Sequence, residues 1–137
     1  MTTAYKVLKR ITFSEFKHSR CRQRISSSTR DPMFRTVYPV ETWLDIPRGM
    51  SFVFIDEQAA WEFKEAHTSL HNPLELWQVE AGHEPKQLLG MADRWSNIPL
   101  FWDAYDNDDI LGLSRVVVPC PPTYFGLRRL RLHHRLD

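Results

Sequence analysis

The chain has little glycine and cysteine and no long apolar run. It contains 5 Gly among 137 residues, few for an enzyme that holds a phosphate in a glycine-rich loop. It also lacks the P-loop, GxGxxG and GxSxG motifs. No stretch reaches the roughly 18 consecutive apolar residues of a membrane-spanning helix. We therefore predict no cofactor and no membrane partner.

The two cysteines, Cys21 and Cys120, stand far apart and form no CxxC pair. They are too few for the disulfide framework of a small secreted domain, and two free thiols or one disulfide both fit. The first residues, MTTAYKVLKRITF, contain no apolar run of the kind found in a signal peptide. The sequence thus favours a cytoplasmic protein.

The charge of the chain is sorted along its length. Residues 1–50 hold 10 Lys or Arg against 4 Asp or Glu, residues 51–110 hold 3 against 12, and residues 111–137 hold 5 against 1. The near-neutral total of +1 hides this basic, acidic, basic order. Such sorting indicates either a dipolar surface that meets charged partners or terminal segments that pack beside the middle segment and neutralise it.

The pattern of apolar residues predicts a single α+β domain over residues 1–137. We expect a mixed, mostly antiparallel sheet of five or six strands with two or three helices. The expected strands are 4–11, 36–44, 51–55, 74–80, 115–118 and 127–135. Helix 57–70, with Asp56 as its N-cap, lies between strands 51–55 and 74–80 and makes a β-α-β segment over 51–80. Residues 91–107 form an interrupted helix, in which Asn97 caps a second short helix with Pro99 in its first turn. The basic, serine-rich residues 18–32 are predicted to be a mobile loop.

Two basic stripes are the first candidate binding site. In each stripe, cationic residues recur at every second position, so that on an extended strand they point the same way. The stripes are Arg20, Arg22 and Arg24, and Arg129, Arg131 and His133. If they are neighbours, they form a face for phosphates, which makes nucleic acid an alternative partner.

Aromatic residues are the second group of candidates. The chain has 5 Trp, and Trp and Tyr are enriched both in cores and in interfaces. We take five aromatic side chains as interface candidates, and they are Trp43, Trp95, Trp102, Tyr124 and Phe125. The last two stand beside the second basic stripe, where they could also stack on bases.

Residues 103–109 hold four aspartates but do not form a recognised metal loop. Ile110 and Leu111 occupy positions where the Ca²⁺-loop pattern requires a ligand and a glycine. We therefore predict a solvated helix end here and assign no metal site. Catalytic residues stay unknown.

The middle of the chain resembles a segment of ADP-ribosyltransferase-like folds over about 32 residues. The resemblance rests on the strand Gly49-Met50-Ser51-Phe52-Val53-Phe54, on Ala59, Ala60 and Phe63 in the helix, and on the strand Leu74–Glu80. It implies a nucleotide-using transferase with an Arg or His on its first strand and a late Glu. Arg10 matches the first of these, and no Glu follows Glu84 in this sequence.

Together these features predict a small non-enzymatic binding protein. It would recognise a macromolecular partner, a protein first, through an aromatic and charge-segregated surface. Nucleic-acid binding and an ADP-ribosyltransferase-like or other nucleotide-using enzyme are the alternatives. Strands 36–44 and 127–135, if they lie at sheet edges, would permit a homodimer. A phage or accessory-gene product acting on a host factor is one context that fits.

Overall fold

The computed structural model describes residues 2–9, 23–26, 37–46, 49–70, 73–88, 90–92, 97–119 and 124–137. These ranges hold eleven β-strands and three α-helices. Nine of the strands form one sheet, and the other two form a separate ribbon. The predicted single α+β domain is confirmed, with more strands than the five or six expected.

The strands are short, and several that the sequence predicts as one unit are divided. Their bounds are β1 Thr3–Lys9, β2 Gln23–Ser26, β3 Val37–Pro39, β4 Trp43–Asp45, β5 Ser51–Phe54, β6 Leu74–Ala81, β7 Lys86–Gln87, β8 Gly90–Ala92, β9 Val117–Pro119, β10 Tyr124–Leu127 and β11 Arg129–Arg135. The helices are α1 Glu57–His67, α2 Ile98–Asp106 and α3 Ile110–Ser114. None of these helices combines the length and the apolar character needed to cross a membrane, as judged over the described ranges.

The main sheet has the order β4-β11-β6-β1-β5-β10-β7, and its ladders are antiparallel. The longest ladder joins β1 to β6 from Thr3 opposite Glu80 to Lys9 opposite Leu74. Within the described ranges, strands β8 and β9 pair with each other and with no other strand.

Strand β11 lies inside the main sheet, between β4 and β6. It is therefore not the free edge that a dimer through residues 127–135 would need.

The predicted β-α-β segment is present as β5, α1 and β6. Strand β1 lies between β5 and β6 and is antiparallel to both, so the two outer strands run parallel. Helix α1 begins at the predicted N-cap, where the Asp56 carboxylate accepts hydrogen bonds from the backbone N–H groups of Gln58 and Ala59. The helix ends at His67, earlier than expected, and leaves Leu70 almost fully exposed.

A second set of contacts bends the sheet back on itself. Strand β1 pairs with β2, β2 pairs with β3, and Val40 after β3 forms a bridge to Leu132 of β11. The enclosed core receives side chains from β1, β3, β6 and β11, among them Leu8, Tyr38 and Val79. Alternation along each strand decides which residues face this core.

Helix α2 covers a separate core. Its residues Ile98, Phe101 and Trp102 pack with Met50 and Leu88. The spacing of the three helix residues places them on one face. Helix α1 covers a third cluster on the other face of β1, β5 and β6, which includes Val7 and Leu76.

Three predicted elements need correction. Strand 36–44 is broken after Val40, because Glu41 has a φ of 61° and cannot continue an extended ladder. Residues 91 and 92 belong to β8 and not to a helix, since they pair with β9. Residues 23–26 of the expected loop form β2, held by ladders on both sides; the rest of 18–32 lies outside the described residues.

Candidate functional site

The arginines at the C-terminal end of the chain each have a carboxylate partner. The pairs are Arg131 with Glu80 at 2.7 Å, Arg129 with Asp45 at 3.1 Å, Arg128 with Asp106 at 3.4 Å, and Arg135 with Glu75 at 3.2 Å and Asp137 at 2.7 Å. Three of these partners, Glu75, Glu80 and Asp106, come from the acidic middle segment. Residues 128–135 therefore lie beside the middle segment, whose carboxylates neutralise three of their four arginines.

The second basic stripe is a mixed surface and not a cationic one. The guanidinium carbons of Arg129 and Arg131 each lie 5.0 Å from the centre of the Trp43 ring, a cation–π distance. The His133 ring nitrogen lies 3.6 Å from Glu80 and 3.7 Å from Glu41. Each cationic residue of this stripe thus has a carboxylate nearby, and the Trp43 ring contacts both Arg129 and Arg131.

Of the first stripe, only the backbone of Arg24 lies within the described residues. Arg24 lies in β2, which pairs with β1 and β3 and not with β11. Its side chain lies outside the described residues, as do Arg20 and Arg22 and also Arg10, the residue matched to the transferase-like pattern. A continuous cationic face made of both stripes is therefore not found among the described residues.

The predicted interface aromatics are placed differently from one another. Trp102 is 2% exposed and belongs to the core under α2, because its helix position faces Met50 and Phe52; its prediction as an interface residue is wrong. Phe125 is half-buried and packs against the enclosed core. Trp95 and the side chain of Tyr124 lie outside the described residues. Trp43 is also half-buried, and the guanidinium groups of Arg129 and Arg131 lie near its ring.

A buried lysine lies inside the sheet. Lys6 is 3% exposed, and its ammonium donates a hydrogen bond to the carbonyl of Phe52 at 2.7 Å. Its nitrogen lies 5.6 Å from the centre of the Tyr38 ring. Burial lowers the pKa of Lys6 to about 7, because the charged form loses its hydration.

Other polar groups of this interior are also matched to partners. The hydroxyls of Tyr38 and Ser51 share a hydrogen bond of 2.8 Å. Burial raises the pKa of Tyr38 to about 12, with the bond to Ser51 acting in the opposite direction. The fully buried Glu75 accepts a hydrogen bond from the Trp77 indole at 3.0 Å. These contacts give the buried polar side chains of Lys6, Tyr38, Ser51 and Glu75 hydrogen-bond partners.

An open cavity of about 310 Å³ lies between α2 and α3. Helix α2 begins at Ile98 with Pro99 in its first turn, as predicted, and ends at Asp106. Asp108 has a φ of 53° and turns the chain, and the Asp109 carboxylate then caps α3 through the Gly112 N–H at 3.0 Å. The lining consists of Leu100, Asp103, Ala104, Asn107, Asp109, Gly112, Arg115 and Val116.

Exposed apolar side chains gather around this cavity. Leu100 of α2 is 58% exposed, and Ile110 and Leu111 of α3 are 79% and 75% exposed. Leu100 lines the cavity, and the other two stand between Asp109 and Gly112, which also line it. In the described part of the chain, these are three of the six exposed large hydrophobic residues. Grouped exposed apolar residues indicate an interaction surface, whereas scattered ones do not.

The charges around the cavity are less compensated than those of the sheet. Among the described residues, neither Asp108 nor Asp109 forms an ion pair, and Arg115 forms none either. Asp106 differs, because it pairs with Arg128. The rim of the cavity therefore carries a net negative charge.

A set of polar contacts attaches the end of α2 to the sheet. The Asp106 carboxylate accepts a hydrogen bond from the Gly49 N–H at 3.3 Å. The Arg128 guanidinium donates hydrogen bonds to the Gly49 carbonyl at 3.1 Å and to the Asp106 carboxylate at 3.4 Å. Gly49 itself has a φ of 66° and lies against the Trp102 ring. These contacts fix where α2 presents its exposed side.

Sequence reasoning found the acidic turn but not the surface around it. Among the described residues, no group of three His, Cys, Asp or Glu is arranged to hold a metal ion. The available signal was the position of Leu100 and of Ile110-Leu111 on either side of the aspartates. That signal becomes meaningful only when Trp102 and Phe101 are known to fill the core. No protein-family model, curated protein or solved structure matches the chain.

Proposed function

We propose that the chain is a non-enzymatic, intracellular binding protein that recognises a protein partner through the surface between α2 and α3. We call this the α2–α3 surface and define it by Leu100, Asp103, Asp109, Ile110, Leu111 and Arg115. The observation that carries the proposal is the exposure of Leu100, Ile110 and Leu111 around one open cavity. Covering apolar area that now meets water is the main favourable term in protein association.

The shape of the surface favours a protein segment over a small ligand. Small-molecule sites are commonly about 300–1,000 Å³ and bury most of the ligand, whereas here the apolar residues continue outside a cavity of about 310 Å³. Ile110 and Leu111 are more than 70% exposed. A segment with one side chain in the cavity and neighbours on Ile110 and Leu111 would cover both parts.

The state of the arginines supports a protein partner over nucleic acid. Phosphate binding needs cationic side chains that exchange counterions for the phosphate backbone. Arg128, Arg129, Arg131 and Arg135 instead contact carboxylates of the same chain. A nucleic acid would have to displace these carboxylates before its phosphates could contact these four arginines.

A selection with random peptides tests the proposal. A displayed library of twelve-residue peptides is selected on the wild-type protein and, in parallel, on Leu100→Gln/Ile110→Gln/Leu111→Gln. The matched control is Leu70→Gln, which removes an exposed leucine elsewhere. Because all four positions are exposed, the variants should unfold at temperatures close to that of the wild type.

The expected result is a set of peptides enriched on the wild type and on Leu70→Gln but lost on the triple variant. Equal enrichment on the triple variant would show that binding occurs elsewhere and would contradict the proposal. Failure to enrich any peptide family on the wild type would contradict it as well.

A further inference from the structure

We infer that the partner segment combines an apolar anchor with adjacent Lys or Arg residues. This inference rests on the proposed function and deepens it by naming the chemistry of the partner. The α2–α3 surface has an apolar part, around Leu100, and acidic groups beside it, at Asp108 and Asp109. A segment of this kind would match both parts at once.

The apolar part sets the size of the anchor. The cavity of about 310 Å³ is bordered by the apolar side chains of Leu100, Ala104 and Val116. This volume is at the lower end of the range for small-ligand sites, about 300–1,000 Å³. It suits one or two large apolar side chains, which is how an anchor residue of an interface fills a pocket.

The charges select the sign of the neighbours. Residues 97–115 contain four aspartates and one arginine, and Asp106 pairs with Arg128. Asp108 and Asp109 follow one another at the start of α3, directly before Ile110 and Leu111. A cation beside an apolar anchor would therefore meet two carboxylates that lack a basic partner in the described chain.

Arg115 provides a test of the sign because it opposes the aspartates. It lines the same cavity and has no carboxylate partner among the described residues. A basic segment would be repelled by Arg115 and attracted by Asp109, whereas an acidic segment would show the reverse. Like charges across an interface disfavour a partner, so that both residues contribute to selectivity.

The aspartates can be neutralised without changing the local backbone. Asparagine is among the residues that best tolerate a positive φ, as at Asp108. Asparagine is also as good an N-cap as aspartate, so the bond from Asp109 to the Gly112 N–H can be kept. Asp108→Asn/Asp109→Asn thus removes two charges and little else.

The experiment measures fluorescence anisotropy with one labelled peptide from the selection and a copy in which every Lys and Arg is Gln. We expect the selected peptides to contain Lys or Arg beside Leu, Ile, Phe or Trp. Asp108→Asn/Asp109→Asn should weaken binding of the basic peptide about three- to tenfold, since the variant loses two exposed charge pairs with the peptide. It should change the Gln copy less than twofold.

Arg115→Gln is the second variant, and it should bind the basic peptide as tightly as the wild type or more tightly. Raising the salt concentration should weaken the basic peptide and leave the Gln copy nearly unchanged. Two outcomes would overturn the inference while leaving the proposed function standing. In the first, the enriched peptides depend on Leu100, Ile110 and Leu111 but lack Lys and Arg. In the second, Asp108→Asn/Asp109→Asn binds the basic peptide as the wild type does.

Discussion

The Arg131 guanidinium lies 2.7 Å from the Glu80 carboxylate, across the neighbouring strands β11 and β6. Arg131 comes from the basic end of the chain and Glu80 from its acidic middle. Charges that are separated in sequence are therefore adjacent in the fold. A surface field cannot be inferred from the linear order alone, because the topology decides which segments meet.

The first prediction concerns this pair. Glu80→Gln should lower the free energy of unfolding by about 1–2 kcal/mol, between the values for exposed and buried ion pairs. The Arg131 Nε atom is buried without a partner in the described structure, so the guanidinium depends on Glu80. Urea unfolding measures the effect, and Glu65→Gln on the exposed side of α1 is the control. Equal stabilities of the two variants would contradict the assigned role.

The second prediction concerns Gly49. A Cβ at this position would lie 2.5 Å from the Trp102 ring, and the backbone φ is 66°. Gly49→Ala should therefore cost about 2–4 kcal/mol, from left-handed strain and from overpacking. Thermal unfolding is measured for Gly49→Ala in the wild-type background and in a Trp102→Leu background. The comparison separates the backbone strain from the overpacking against the Trp102 ring. A smaller cost in Trp102→Leu is expected; a wild-type melting temperature for Gly49→Ala would refute the close approach.

The third prediction concerns the pH dependence that Lys6 confers. The unfolded chain retains the Lys6 proton up to a pKa of 10.5, whereas the folded chain releases it at about 7. Between these values the unfolded state binds more protons, so the free energy of unfolding rises with pH. Below pH 7 the folded state carries the full cost of the buried charge.

Lys6→Met should remove this rise. Urea unfolding is measured between pH 7 and 9.5. The free energy of unfolding of the wild type should rise relative to that of Lys6→Met, by up to about 1.4 kcal/mol per pH unit. The range stops at pH 9.5 because burial raises the pKa of Tyr38 from 10.0 to about 12. Between pH 10 and 12 the unfolded chain loses the Tyr38 proton while the folded chain keeps it, so Tyr38 lowers the free energy of unfolding as the pH rises. Parallel curves for the two proteins would show that Lys6 is not buried as described.

The fourth prediction concerns the attachment of α2 to the sheet. Arg128 donates to both the Gly49 carbonyl and Asp106, so Arg128→Gln should loosen the end of α2. Backbone amides of residues 97–115 should exchange about three to ten times faster with deuterium. Arg129→Gln is the matched control, because Arg129 pairs with Asp45 on β4. Unchanged exchange in Arg128→Gln would contradict this positioning role.

The sequence was sufficient for elements whose signals are local. Asp56 as an N-cap, the apolar strand before it and the strand after it predicted the β-α-β segment. Local signals did not reveal that β1 separates the two outer strands, because pairing between β1 and β6 is decided by contacts more than sixty residues apart in the chain. The break at Glu41 was also missed, since a positive φ at glutamate has no sequence signature.

The site was less predictable than the fold. Arg129 and Arg131 formed a clear alternating pattern, but the pattern could not show that Asp45 and Glu80 lie opposite them. Tryptophan is a residue type enriched in interfaces, but Trp102 lies in the core. Conversely, Leu100 and Leu111 resemble ordinary core residues in sequence but are exposed. Leu100 is exposed because neighbouring positions of α2 fill the core, whereas Leu111 belongs to α3, a helix with no buried residue.

Backbone amide chemical shifts show where a selected peptide binds. The ¹⁵N-labelled protein is titrated with a peptide from the selection, and the perturbed amides are located. We predict that the largest shifts fall in residues 97–116, around Leu100, Asp109 and Leu111, and disappear in the triple-glutamine variant. Largest shifts on β4 and β11, around Trp43, Arg129 and Arg131, would contradict it and would assign binding to the sheet face.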